Sequence, residues 1–122
     1  MVGMVYKICS SADWRGAKLN GFFHGSPDDL RDGFIHLSTS AQLSGTLQKH
    51  FSDSAGKALP GLVLVGFEAD ALGPKLKWES ARDGALFPHL YAPLETQLAV
   101  SEVALEVDAT GRHCLPGELG GC

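Results

Sequence analysis

The sequence has no apolar run of the roughly 18 residues that a membrane-spanning helix requires. Its first residues lack the basic and apolar regions of a signal peptide, and we therefore expect a cytoplasmic protein. It also has no basic run, because the formal net charge is −4 and the pI is about 5.6. This charge balance argues against a protein that reads a nucleic-acid backbone. It remains compatible with a nucleotide ligand, which needs only one or two cations in a pocket.

Cysteine is scarce, and the three that are present form no motif. Cys9, Cys114 and Cys122 are an odd number at scattered spacings, which does not indicate a disulfide framework. No two cysteines or histidines stand at ligand spacing near a second such pair, so no metal site is expected. Ser38 and Cys9 lie in no nucleophile motif, which leaves nucleophilic catalysis without support.

The apolar content is sufficient for a single domain. Of 122 residues, 44% belong to the hydrophobic set, which is enough for one core. From residue 108 the composition shifts to glycine, proline and glutamate. We therefore predict one globular domain over residues 1–109 and a flexible tail over residues 110–122.

Apolar periodicity and capping residues predict an α+β fold with a mixed sheet of about five to six strands and two helices. The predicted elements are a strand (4–9), a helix (13–19), a loop (22–33), a short strand within 33–38, a helix (39–51), a strand (62–67), an extended piece (76–79), an aromatic segment (87–91) and a long strand (97–107). Residues 62–67 are apolar throughout, which is typical of a central strand buried on both faces. Pro88 and Pro93 favour an edge or a connection for residues 87–91.

Two of the five histidines, His36 and His89, interrupt apolar extended segments, and we predict that they face one concavity. Between them lies a polar patch with Trp78, Glu79 and Arg82, and Tyr91 follows. Arg82 presents two parallel donors that suit a phosphate or carboxylate. The alternatives are a surface salt bridge for Arg82 and, for the whole set, an aromatic core edge with satisfied polar tips.

The segment after His36 opens a helix. Thr39 and Gln42 have the spacing of a capping box, and Ser38 precedes them. A strand that leads into a helix N-terminus offers free N–H groups to an anion or polar ligand. The alternative is a plain helix cap beside an ordinary strand histidine.

Four stretches carry a resemblance to a known family. They read YKICSSADW, DGFIHLSTSAQ, LVLVGFEADALGPKLKWE and FPHLYAPL, and they resemble the bacterial domain-of-unknown-function family 952 over about residues 4–107. The sequence departs from the family at Ala81, the residue before Arg82, where the family often has a serine.

The layout of that family in turn resembles ADP-ribosyltransferase folds, including the tRNA 2′-phosphotransferase branch. In the order of segments, Lys7 stands where that class has a histidine, His36 where it has a tyrosine, and His89 where it has the catalytic glutamate. That glutamate stabilises a positively charged sugar in the transition state, which a histidine cannot do. The resemblance therefore favours chemistry on a group that is already anionic, such as a phosphate, over ordinary ADP-ribosyl transfer from NAD.

Three functions are compatible with these residues. The first is a transferase-type enzyme that resembles an ADP-ribosyltransferase or a 2′-phosphotransferase and acts on an NAD-like or phosphorylated ribose substrate. In this enzyme His36 orients the substrate, Arg82 holds a phosphate and His89 is the acid or base. The second is a binding module for a nucleotide or small anion without turnover, and the third is a structural protein with no ligand. The expected ligand contacts are Lys7, Ser38, Thr39, Gln42, Trp78, Glu79 and Tyr91. NAD or a related nucleotide is the implied ligand; no DNA, metal or membrane partner is expected, and the oligomeric state is open.

Overall fold

The computed structural model describes residues 3–81 and 84–119. The α-helices in these ranges are α1 (Ser11–Asn20), α2 (Pro27–Asp32) and α3 (Leu43–His50). The strands are β1 (Met4–Ser10), β2 (Phe22–Phe23), β3 (Ile35–His36), β4 (Leu62–Glu68), β5 (Leu76–Ser80), β6 (Leu86–Leu90), β7 (Leu94–Glu95), β8 (Ser101–Ala104), β9 (Glu106–Val107) and β10 (His113–Cys114). Short 3-10 helices span Ser40–Gln42, Ala69–Lys75, Thr96–Leu98 and Gly117–Leu119. In the part of the chain described, no helix has the length and apolar character needed to traverse a bilayer.

The strands form two three-stranded antiparallel sheets instead of the one mixed sheet predicted. The first has the order β1-β4-β8 and the second the order β3-β6-β5. A single bridge between Tyr6 and Ser38 joins them, and the pairs β2-β7 and β9-β10 are small additions. The α+β class, with several antiparallel strands and few helices, is confirmed.

Strand β4 is the centre of the fold, as its apolar run predicts. Val63, Val65 and Phe67 face a core that includes Trp14 of α1. Leu62 and Leu64 point the other way, into a second core with Leu43 and Leu47 of α3. Because both faces of β4 are covered, α1 and α3 lie on opposite sides of the first sheet.

The segment predicted as a loop over residues 22–33 contains helix α2. Ser26 and Asp29 form a reciprocal capping box, Pro27 occupies the first turn, and Gly33 ends the helix in the left-handed conformation with φ of 84°. Apolar periodicity gives no sign of this helix, because its buried residue is Asp29, whereas Leu30 is 67% exposed.

The placement of residues 87–91 at an edge or in a connection is wrong, because β6 is the middle strand of its sheet. Pro88 is tolerated there because its carbonyl still accepts a hydrogen bond from the Leu37 N–H at 3.1 Å. Strand β3 ends at His36, and the N–H that Pro88 lacks would have pointed to the chain just beyond that end.

The predicted long strand over residues 97–107 is divided into a 3-10 turn, β8 and β9, with Leu105 buried between the two strands. Beyond it, β10 pairs with β9, and Leu115 enters the core on the α3 side. Cys9 is a free, buried thiol. Cys114 is disulfide-bonded, contrary to the expectation from the cysteine count.

Candidate functional site

A cavity of about 260 Å³ lies where the two sheets meet. It is bounded by β1, α2, β3, α3 and β6. The polar side chains that line it are Tyr6, Lys7, Ser26, Asp28, Asp29, Arg31, Asp32, His36, Ser38, Thr46, Lys49, His50 and His89. Most of the charged groups of this set come from α2 and from the last turn of α3.

His36 and His89 lie side by side in this cavity. They are directly opposed residues of β3 and β6, and their ring centroids are 5.7 Å apart in an edge-to-face arrangement. The ring of Phe34 stacks on His89 with a centroid distance of 4.0 Å and also contacts His36 at 4.6 Å. Antiparallel pairing explains the proximity, since opposed residues point to the same face of a sheet.

Asp29 organises one side of the cavity, and no sequence pattern predicted its role. Its side chain is 1% exposed and accepts hydrogen bonds from four donors. These are Lys7 Nζ at 2.8 Å, the Ser26 N–H at 2.9 Å, the His36 N–H at 3.0 Å and His36 Nδ1 at 2.6 Å. The carboxylate therefore ties β1, α2 and β3 together and orients the His36 ring.

The ionised form of Asp29 is the stable one. Burial alone would raise the pKa of this carboxyl, but the hydrogen bonds from His36 and the charge of Lys7 outweigh it and hold the pKa well below its usual 3.8. Lys7, which is itself buried, also donates to the His36 carbonyl at 3.0 Å. Lys7 thus supports the cavity wall, with its charge already paired.

The second nitrogen of His36 meets another carboxylate. Nε2 lies 2.9 Å from Oδ2 of Asp32, the last residue of α2. A hydrogen bond from Arg31 is the main cause that holds the pKa of Asp32 below its usual value. The His36 ring donates to both Asp29 and Asp32 only when both of its nitrogens carry a proton.

His89 has a different arrangement. Its Nδ1 lies 2.9 Å from Oε1 of Glu79, which also accepts the Tyr91 hydroxyl at 2.7 Å. The hydrogen bond from Tyr91, followed by that from His89, lowers the pKa of Glu79, so the carboxylate can only accept and Nδ1 must be the donor. Nε2 makes no hydrogen bond to a residue in the described ranges. Because every fully buried polar side-chain atom described has a partner, Nε2 keeps some accessible surface, although the His89 side chain as a whole is only 7% exposed.

The residues predicted as ligand contacts divide into three groups. Ser38 lines the cavity, and its Oγ lies 2.9 Å from Thr46 Oγ1. Thr39 and Gln42 form the predicted capping box, but they do not line the cavity, and Gln42 donates to the Leu86 carbonyl instead. Glu79 forms hydrogen bonds with both His89 and Tyr91.

Trp78 is not part of the cavity. It pairs with Pro88 on the face of the second sheet opposite His36 and His89, and it is 44% exposed. Arg82, the predicted phosphate fork, and the neighbouring Asp83 lie outside the described residues. In the described ranges, no group of three or more His, Cys, Asp and Glu side chains is arranged to hold a metal ion.

The model of the family described as "Protein of unknown function (DUF952)" matches residues 8–103. Three solved structures of protein CC0527 from Caulobacter crescentus are also similar. Its crystal structure is 45% identical, with a TM-score of 0.87 over 96% of this chain and 98% of that chain. The crystal structure of a double mutant is 44% identical, with the same TM-score and coverage. The solution NMR structure is 47% identical, with a TM-score of 0.76 over 89% of this chain and 90% of that chain. No curated protein matches. The chain belongs to the family of unknown function, whereas the likeness to ADP-ribosyltransferases stays a hypothesis.

Proposed function

We propose that the cavity binds a phosphorylated ribose, such as that of an NAD-like nucleotide, and that His89 acts on it as a general acid or base. One observation carries the proposal: two adjacent histidines, each with Nδ1 held by a carboxylate, border the same cavity. A carboxylate behind Nδ1 fixes the ring orientation and the tautomer, and it leaves Nε2 as the group that meets the substrate.

His89 is suited to proton transfer. With Nδ1 donating to Glu79, the neutral ring carries its lone pair on Nε2, which has no partner among the described residues. That nitrogen can take a proton from a ribose hydroxyl, or return one to a leaving group. Tyr91, which donates to the same Glu79 oxygen, is a positioning residue in this scheme.

The cavity also supplies groups for the sugar and the phosphate. The hydroxyls of Ser38 and Thr46 are neutral partners for a ribose, and Lys49 brings a positive charge. From the sequence, Arg82 remains a predicted hydrogen-bond donor to the phosphate. A histidine in place of a catalytic glutamate favours phosphate chemistry within an ADP-ribosyltransferase-like scheme.

A binding module without turnover is the second candidate. It is favoured by His36, whose two ring nitrogens are both occupied by carboxylates, so that only His89 is free for proton transfer.

The test begins with thermal unfolding of the parent in the presence of NAD, ADP-ribose, NMN and 2′-phosphorylated nucleotides. Any ligand that raises the melting temperature is then incubated with the protein, and the products are separated by chromatography. If none of these compounds stabilises the protein, the proposal is refuted. Stabilisation without a product supports the binding module.

The variant His89→Asn separates binding from chemistry, because an asparagine amide keeps a donor near the Nδ1 position and removes Nε2. We expect an unchanged thermal shift with ligand and a loss of turnover of about 100-fold or more, the usual contribution of a general acid or base. His24→Gln is the matched control, since His24 is exposed and outside this cavity. Equal turnover in His89→Asn and His24→Gln would refute the role of His89.

A further inference from the structure

We propose that the Asp32 carboxylate occupies the anion-binding position of the cavity, and that a phosphate group binds there by displacing it. This inference rests on the proposed function for the identity of the cavity as a ligand site. It adds which groups donate hydrogen bonds to the bound phosphate. They are the guanidinium of Arg31 and Nε2 of His36.

The donors around Asp32 have the arrangement that a phosphate requires. Arg31 Nε lies 3.0 Å from Oδ1 and Arg31 Nη2 lies 3.3 Å from Oδ2, so the guanidinium grips the carboxylate with two donors. His36 Nε2 approaches Oδ2 at 2.9 Å from the other side. A guanidinium fork and an imidazole N–H that converge on two oxygens suit a phosphate as well as a carboxylate. Arg31, Asp32 and His36 all line the cavity.

Asp32 is the carboxylate that is free to leave. Its side chain is 33% exposed, and its two partners, Arg31 and His36, are themselves 66% and 37% exposed. Exposed ion pairs of this kind contribute little to stability, and displacing one costs correspondingly little. Asp29 contrasts with it, because that side chain is buried and held by donors from three different elements.

The donors keep their positions when Asp32 leaves. His36 remains anchored to Asp29 through both its backbone N–H and Nδ1, so Nε2 still points to the vacated place. Arg31 remains held by Asp28, whose Oδ1 lies 3.1 Å from Nη1. His36 is therefore preorganised, and the exposed Arg31 side chain needs only to turn its guanidinium from Asp32 to the phosphate.

Titration calorimetry with inorganic phosphate at low ionic strength tests the inference. Asp32→Asn removes the competing charge, and we expect it to bind phosphate about fivefold more tightly than the parent, as expected for one like charge removed near 4 Å in water. Asp32→Ser is a second variant that leaves no amide to take the same place. Asp28→Asn is the matched control: it removes a carboxylate from Arg31 but not from His36, and its effect should be smaller.

Arg31→Ala should abolish phosphate binding in the parent and in Asp32→Asn alike. If both Asp32 variants bind phosphate no more tightly than the parent, or if no variant binds phosphate, the inference is overturned. The experiment uses no nucleotide and measures no turnover, so its failure would leave the role of His89 standing. A failed nucleotide screen would equally leave a positive phosphate result intact.

Discussion

Replacing Asp29 by asparagine tests whether the buried carboxylate holds the cavity and the fold together. The carboxylate pairs with Lys7 at 2.8 Å, and the two side chains are 1% and 5% exposed. In Asp29→Asn the Lys7 ammonium stays buried among β1, α2 and β3 with no anion beside it. Desolvation of the unpaired charge makes this the most destabilising single change that we expect near the cavity.

The magnitude follows from comparable buried pairs. Removing one partner of such a pair costs about 3–5 kcal/mol, out of a total folding free energy of about 5–15 kcal/mol. For a domain of this length that corresponds to a fall in the melting temperature of roughly 10–20 °C. Chemical unfolding followed by far-UV circular dichroism measures the same loss as a shift of the midpoint.

Asp28→Asn is the matched control, because Asp28 is the preceding residue of α2 and its ion pair with Arg31 is exposed. It should cost no more than about 1 kcal/mol. The double variant Lys7→Met with Asp29→Asn removes both charges and should be more stable than Asp29→Asn alone. If Asp29→Asn costs no more than Asp28→Asn, the carboxylate does not have the role assigned to it.

The same carboxylate predicts a pH dependence. Because the pKa of Asp29 is lower in the folded protein than its ordinary 3.8, the unfolded chain binds more protons between the two values. Stability therefore rises with pH across that interval. The contribution of Asp29 is complete above about pH 5 and is lost as the pH falls below about 4. Urea midpoints measured from about pH 5 downward through the range below about pH 4 should fall less steeply in Asp29→Asn than in the parent, and parallel curves would contradict this role of Asp29.

Three further predictions concern other parts of the chain. Leu115→Ala should destabilise the protein by about 2–4 kcal/mol in urea unfolding, because the side chain is buried in the core beside α3; the flexible tail predicted over residues 110–122 would instead give a change below about 0.5 kcal/mol. Gly66→Ala should cost about 1–3 kcal/mol by calorimetry, since a Cβ at Gly66 would press on the Ser101 hydroxyl and approach Tyr6 Cε2 to 3.2 Å; unchanged stability would show that Ser101 moves freely. Burial raises the pKa of the Cys9 thiol to about 12, so iodoacetamide at pH 8 should leave Cys9 unmodified until the protein unfolds, and rapid labelling of the native state, seen by mass spectrometry, would contradict this.

The parts of the fold that were predictable from the sequence are those stabilised by apolar burial or by local caps. The run over 62–67 predicts a central strand because both faces of β4 are covered. Ser10 predicts the start of α1, and its hydroxyl accepts the Asp13 N–H at 3.0 Å. Gly21, with φ of 92°, ends that helix in the left-handed conformation that favours glycine. In each case the signal lies within a few residues of the element that it specifies.

The parts that were not predictable depend on polar groups that are distant in sequence. Helix α2 is held by Asp29, whose partner Lys7 lies 22 residues earlier in an otherwise apolar strand. Apolar periodicity cannot register a helix whose buried residue is charged. The adjacency of His36 and His89 was predictable from their apolar surroundings. Asp29 was not predicted, and Glu79, predicted as a ligand contact, is identified as the partner of His89 only when the strands are paired.

Pro88 has a consequence for how the second sheet assembles. Strand β3 has only two residues, which is too short for its own hydrogen bonds to select one alignment with β6. A shift by one residue would turn His36 away from His89, and a shift by two would set the Ile35 carbonyl against a proline nitrogen that has no hydrogen to donate. In the native alignment that nitrogen faces Leu37, one residue beyond the end of β3, so neither residue of the short strand lies against it and the two imidazoles meet.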